Sequence, residues 1–383
     1  LQVALSPTMP DLPLGSEKRQ KGRLVNAKGE IVTAPWMKSF GNAWWGCVNH
    51  PDFQTTYFEH IKAALEAGAH GFQVDDPGFG FLLMRNKWED VCYCEFCRHK
   101  ADSLGMKPPD IQELSVLEFH RDMKRKAEKF AGRPVPFSCN NFAGDWSLFP
   151  FSFFDFGVAE APERHANPEY LFAAVREARF RGKAQVFSFV SERDWLVQKM
   201  IAAGYAAGAN MLVPWDVWQG GGKERYFGKP EVFAPYFAFV RANAQWLDSY
   251  EDAFFTSSQA DFRFGEAADL PVSFDEYRRQ IHAFVRAKPG DEKAPAVLHL
   301  IDFHPVADTF SIRLNEHRFF KNGIASIEIL TPVAFDKTAH EAAESTGDFS
   351  KLVKSERLDF SKGKNLLRLQ LPYLERHLAI LIL

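Results

Sequence analysis

The chain has 383 residues, enough for one large domain and a smaller one, and 46% of them are hydrophobic and 25% charged, as in an ordinary globular protein. A net charge of −3 leaves no basic excess to neutralise phosphates, which excludes a nucleic-acid polyanion as the main partner; a run such as Lys124-Arg125-Lys126 reads as a solvated helix face. No apolar run reaches the roughly eighteen residues of a membrane-spanning helix, so no membrane partner is expected.

The opening Leu1-Gln-Val-Ala-Leu-Ser6 reads as the inside of a strand, without initiator Met or signal peptide, and implies sequence upstream. The compartment stays open: cytoplasmic, or periplasmic or secreted after removal of an N-terminal segment. No Asn-x-Ser/Thr sequon occurs, which weighs against a eukaryotic secreted protein. Residues 1–10 are predicted as a strand ending in Ser6-Pro-Thr-Met-Pro10, and Ala27-Lys-Gly-Glu30 as a turn. The aromatic-rich segment 34–49 carries a strand near residue 44. Pro51-Asp52 opens a helix with Phe53, Tyr57, Phe58, Ile61 and Leu65 at helical spacing, and Gly68 stops it.

Gly71-Phe-Gln-Val-Asp-Asp-Pro-Gly78 then reads as a buried strand that ends in two carboxylates. Alternation puts Phe72 and Val74 on one face and Gln73 and Asp75 on the other. A helix is expected near 110–130, and strands over 134–141, 153–160, 184–192 and 208–216 alternate with helices near 168–181, 194–207 and 232–248. Apolar strands that end in polar residues and alternate with helices argue for a parallel sheet covered on both faces. At most seven such strands are found, near 4, 44, 73, 137, 157, 188 and 212. The expected architecture is therefore a (β/α)8 TIM barrel over residues 1–253, its first strand upstream of Leu1. From 254 to 383, short strands and polar turns read as a C-terminal β-sandwich domain.

Four of the five cysteines, Cys47, Cys92, Cys94 and Cys97, form a C…C-x-C-x-x-C set. In a large α/β protein this spacing favours a tetrahedral zinc over disulfides; buried or redox-active thiols are the competing reading. Four sulfur ligands would leave no open position, so the zinc would be structural. His50 and His99 are substitute ligands or ordinary surface histidines.

Strand ends carry Asp75 and Asp76, Glu160, Glu192 and Asp216. Parity turns Glu192 inward with Ser188 and Val190, whereas Glu160 shares parity with Phe156 and Val158 and needs a bend to point inward. Two carboxylates in one pocket suit glycoside cleavage, one protonating the leaving oxygen and the other attacking the anomeric carbon or activating water. The competing reading of Asp75-Asp76 is a cap on the Pro-Gly turn. Trp195, Trp215 and Trp218 either stack on sugar or fill the core. Gly220-Gly-Gly222 reads as a mouth loop, since nothing else resembles a phosphate-binding loop.

Several motifs, in order, resemble glycoside hydrolase family forty-two, the zinc-containing barrel β-galactosidases, over roughly residues 1–230. They are Ser6-Pro-Thr-Met-Pro10, Val25-Asn-Ala-Lys-Gly29, Cys47-Val-Asn-His-Pro51, the Cys92/Cys94/Cys97 cluster, Asn141-Phe142, Gly208-Ala209 and Trp218-Gln-Gly-Gly-Gly222 with Glu224 beyond. The resemblance implies an oligosaccharide or glycoside substrate, a structural zinc, and Glu192 at the nucleophile position. Asn140, Trp215, Asp216, Trp218 and Glu224 are the expected substrate-binding residues. The family has Val-Asp-Asn-Glu where this chain has Val74-Asp-Asp-Pro77, so the acid/base falls to Asp75, Asp76 or Glu160. A non-catalytic carbohydrate-binding protein on the same scaffold is the alternative. A homo-oligomer is compatible with the sequence and not specified by it.

Overall fold

Hydrophobic spacing and capping residues set the first helix. In α1 (Pro51–Glu66) the ring Nδ1 of His50 accepts from the Asp52 N–H at 3.1 Å, Pro51 fills a first-turn position that needs no donor, and Asp52 faces the helix dipole. Phe53, Tyr57 and Ile61 are buried, and Gly68 takes φ 91° just past the end. The computed structural model of the chain describes residues 2–5, 8–10, 21–34, 43–78, 90–165, 167–191, 193–211, 230–259, 270–275, 280–303, 309–320, 323–363, 366–371 and 379–382.

Before α1 lie β1 (Gln2–Leu5), β2 (Thr8–Pro10) and β3 (Ala43–Trp45). After it come β4 (Gly71–Val74), α2 (Glu95–Ser103), α3 (Gln112–Ala131), β5 (Phe137–Cys139), β6 (Phe156–Pro162), α4 (Pro168–Phe180), β7 (Ala184–Val190), α5 (Asp194–Ala207), β8 (Asn210–Met211) and α6 (Pro230–Ala242). The fold is mixed α/β, with parallel strands first and antiparallel strands after. The chain divides into two compact units, 1–160 with 177–185, and 161–176 with 186–383.

In the first unit β1, β4, β5 and β6 pair in that order, all parallel, with Leu5 opposite Val74 and Val74 opposite Cys139. Phe72 and Val74 are fully buried in one apolar core with Phe53, Tyr57 and Ile61 of α1 and Phe119 and Met123 of α3, as the alternation predicts. Burying each such side chain is worth about 1.5–3 kcal/mol. In the second unit β7 and β8 also pair in parallel, Val186 opposite Asn210.

The strand near residue 44 is not a member of this parallel set. β3 pairs antiparallel with β2, Met9 opposite Trp44, and the predicted strand over 1–10 is two strands, β1 and β2. The tryptophan pair explains the misreading. Trp44 fills the core under α1, while Trp45 fills a separate core around the cysteines, so both faces are buried although the strand pairs only antiparallel with β2. The strand expected over 134–141 shortens to Phe137–Cys139, because Pro134 and Pro136 have no N–H for a ladder.

The second unit continues with β9 (Glu251–Ser257), β10 (Val272–Phe274), β11 (Ile281–Ala287), β12 (Val297–Asp302), β13 (Phe310–Leu314), α7 (Glu316–Phe319), β14 (Glu328–Pro332), α8 (Lys337–Thr346), β15 (Val353–Arg357), β16 (Phe360–Lys362), β17 (Leu367–Leu371) and β18 (Ala379–Ile382). They form a four-stranded sheet ordered β10-β13-β17-β16 and a six-stranded sheet ordered β15-β14-β18-β12-β11-β9. One apolar cluster takes Ile281, Val285 and Leu300 from the larger sheet and Ile312, Leu314 and Leu369 from the smaller. Helix α8 was not anticipated; Asp336 caps it, Oδ1 accepting from the Ala339 N–H at 2.7 Å, and Gly347 ends it at φ 73°. Among the described residues no helix is long and apolar enough to cross a membrane.

Candidate functional site

The four cysteines converge. The sulfurs of Cys47, Cys92, Cys94 and Cys97 all lie within 4.8 Å of one another, with Cys47 Sγ 3.6 Å from Cys94 Sγ and 3.5 Å from Cys97 Sγ. No disulfide joins them. A tetrahedron with metal–sulfur bonds of about 2.3 Å has edges of about 3.8 Å, so the set fits a zinc ion. Local structure builds this geometry. Cys47 follows β3, and Cys94 is the N-cap of α2, which puts Cys97 in the first turn, where exposed N–H groups favour thiolate charge. Hydrogen bonds from Cys47, and then from Cys92 and Cys97, hold the Cys94 thiol far below its usual pKa.

The surroundings are dry and braced. Leu24, Ala34, Trp45, Val91, Ala101 and Ile111 are buried around the sulfurs. Asn49 Nδ2 donates to Cys97 Sγ at 3.3 Å and to Ser115 Oγ at 3.0 Å, and Lys100 Nζ donates to Asn49 Oδ1 at 3.1 Å. The predicted turn over 27–30 forms around Asn26, whose Oδ1 accepts from Lys28 and Glu30 N–H, and the Tyr93 N–H donates to Val25 O at 2.7 Å. The cysteine loop is thus laced to that turn. His50 caps α1 and His99 is exposed on α2, so neither stands among the clustered ligands.

The second cluster sits where β4 ends. The Asp75 N–H donates to Leu5 O at 2.8 Å, which continues the parallel ladder, and Asp76 turns into the left-handed region at φ 41°. A non-glycine residue there is uncommon and marks a turn held by its surroundings. Two neighbours hold it. Asn140 Nδ2, just past β5, donates to Asp75 Oδ1 at 2.9 Å. His120 on α3 donates its Nε2–H to Pro77 O at 2.7 Å. Burial pushes the His120 ring down to about 4, so it is a neutral anchor.

Asp76 is half-buried, and its carboxyl is pushed up to about 7, first by burial and then by the charges of Asp75 and Glu160. The structure therefore brings Asp75, Asp76 and Glu160 into one electrostatic neighbourhood. On β6, Gly157, Ala159 and Ala161 face the buried side, and a Cβ at Gly157 would meet Asn141 at 2.5 Å. Glu160 takes the more open face with Phe156 and Val158, as parity predicts. Among the described residues Asn140 Oδ1 is buried without a hydrogen-bond partner, and so is the Tyr57 hydroxyl, whose pKa burial and then Asp75 drive up.

The remaining expected site residues, Glu192, Trp215, Asp216, Trp218 and Glu224, lie outside the described residues. On β7, Phe187 and Phe189 are buried and Ser188 is half-buried, the alternation that the parity argument used. Both chain neighbours of position 192 are held by Glu163. Its carboxylate accepts from the Ser191 hydroxyl and from Arg193 Nη2 at 2.7 Å, and these bonds, Ser191 first, lower its pKa. Sequence reasoning missed Glu163, Tyr57 and His120. Glu163 lies three residues beyond the strand-end Glu160 and had the clearest signal. Tyr57 and His120 were hidden in helical apolar stripes. Trp195 is exposed on α5, with Arg193 and Lys199 over its ring at 5.5 and 5.1 Å.

No family model matches the chain, and no curated protein sequence does. Among solved structures, the chain is similar to the α-amylase from H. orenii at 11% identity, covering 96% of this chain and 75% of that one, with a TM-score of 0.46. It is similar to the debranching enzyme of Nostoc punctiforme at 10% identity, covering 96% and 70%, also at 0.46. It is similar to a GH31 dextranase of Flavobacterium johnsoniae at 8% identity, covering 100% and 62%, at 0.40.

Proposed function

We propose that the chain is a glycoside hydrolase. Its architecture is a (β/α)8 barrel over 1–253 and a β-sandwich over 254–383, and Cys47, Cys92, Cys94 and Cys97 hold a structural zinc. The observation that carries this reading is Asp76. It is a carboxyl at the end of a parallel strand, half-buried beside Asp75 and Glu160, with its pKa near 7. A carboxylic acid that keeps its proton near neutrality can donate it to a departing glycosidic oxygen. Asp76 is the general acid in this scheme. Asp75, fixed by Asn140, stays in place as the charge that keeps Asp76 protonated. Glu192 is the nucleophile of a retaining cleavage of a galactoside-like substrate, with its chain neighbours clamped by Glu163. Glu160 supplies a further carboxylate beside Asp76. Asn140, Trp215, Asp216, Trp218 and Glu224 line the sugar-binding side. The zinc, when bound, supplies no chemistry to the reaction; it ties Cys47, just past β3, to the loop that opens α2.

The test is turnover of a panel of aryl glycosides and oligosaccharides, with the released anomer read by proton NMR. Cleavage with retention that is lost in both Asp76→Asn and Glu192→Gln supports the assignment. Full activity in either variant sinks it. Binding of glycans without turnover by the zinc-loaded chain selects the carbohydrate-binding alternative.

A further inference from the structure

The second unit holds a cavity of ≈ 850 Å³ that the proposed reaction does not use. That size suits an oligomer of a few sugar rings. Its walls come from β9, β11, the turn after β11, and α7 with the residues that follow. The floor is aromatic: Phe254, Phe319 and Phe320 are half-buried, one side packed on the core between the two sheets. The floor is also fixed in place. A Cβ at Gly323 would stand 2.5 Å from Glu316 Oε2, and the Ile324 N–H donates to that same oxygen at 3.2 Å. Gly323 takes φ 75°, a left-handed conformation that favours glycine.

Charged side chains of both signs also line the cavity. Lys288, Lys293 and Arg318 line it, against Asp291 and Glu292. The Asp291 carboxylate is turned into its own turn, with Oδ1 accepting from the Lys293 and Ala294 N–H groups at 3.2 and 3.1 Å. Lys288 and Lys293 are exposed, and among the described residues neither ammonium has an ion-pair partner. An aromatic floor offers a face to the C–H side of a pyranose ring, and unengaged ammonium groups above it favour carboxylate or sulfate substituents.

From this combination we infer that the cavity is a binding site for an anionic oligosaccharide, such as a chain of uronic acids. It is built wholly from second-unit residues and separate from the Asp75–Asp76 cluster. The inference does not depend on catalysis, and binding is measured on the full chain carrying Asp76→Asn, so that turnover cannot consume the probe. Titration calorimetry with hexameric oligogalacturonate should show saturable binding, absent or much weaker with maltohexaose. The exposed double variant Lys288→Glu/Lys293→Glu should weaken uronate binding by about tenfold or more with an unchanged melting curve, and added salt should weaken the parent in the same direction. Phe320→Ala should weaken it as well. Equal binding of the neutral and acidic hexamers, no binding of either, or binding unchanged in the double lysine variant overturns the site. A parent chain that cleaves glycosides but fails this titration overturns it without touching the proposed hydrolase.

Discussion

The first unit holds two polar clusters of opposite character. Around the cysteines the sulfurs are met by other sulfurs, by Asn49 and by apolar side chains. At the end of β4, three carboxylates crowd together, Asp76 sits in a left-handed turn, and Asn140 Oδ1 and the Tyr57 hydroxyl are buried without partners. Burying polar groups without hydrogen bonds costs stability, so a fold keeps such an arrangement where a ligand completes it. The first cluster is closed on itself, and the second leaves polar groups unmet among the described residues.

Breaking the closed cluster should have the largest effect. Cys94→Ser should release bound zinc, read by elemental analysis, and lower the stability of the chain by at least about 3 kcal/mol in denaturant melts, because metal-binding energy is folding energy. A variant that keeps its metal or its midpoint would remove the structural role.

Asp76→Asn comes next, and it should move activity and stability in opposite directions. Turnover should fall by about 10²–10⁴-fold, with loss of the limb that declines as pH rises through about 7. The folded-state pKa lies above the ordinary 3.8, so the neutral form is favoured in the fold; that stability is fully present below about pH 4 and lost as pH rises through about 7. The asparagine variant should therefore gain on the parent between those limits. At pH 8 the gain should be about 1–3 kcal/mol after allowance for solvent screening, measured by urea melts at several pH values.

Asn49→Leu sharpens the contrast from the closed side. It removes the donor to Cys97 Sγ and should weaken zinc affinity by about 10–100-fold in a competition assay, with the cluster still formed. The smallest effect is expected for Asn140→Ala, which frees Asp75. Turnover should drop by about tenfold with little change in stability, since one hydrogen bond is worth about 1 kcal/mol net. A fold that melts early instead would make Asn140 a structural residue.

The cysteine site was legible because its chemistry is written in spacing: three ligands within six residues leave few geometries. The parallel strands were legible where helices flank them, and so was the alternation of Phe72 and Val74 on β4 and of Phe187, Ser188 and Phe189 on β7. The strand near 44 was misplaced because an apolar run signals burial and says nothing of strand direction. Short strands such as β10 and β16, and the helix α8, carry too few residues for a period to show. At the carboxylates, sequence reasoning found the acids but could not rank them. The difference between Asp75 and Asp76 is made by burial, by one asparagine and by a single backbone angle, none of which is a residue pattern.

The length of chain between partners sets a sequence of assembly. Synthesis runs from N- to C-terminus and segments fold as they emerge. All four thiols are in the chain once Cys97 is made, and the helix that carries Cys97 is capped by Cys94 itself. The acid turn has to wait. His120 lies 43 positions from Pro77, and Asn140 lies 65 from Asp75. The cysteine cluster can therefore be complete while the turn at Asp76 still lacks the contacts that α3 and β5 bring to it.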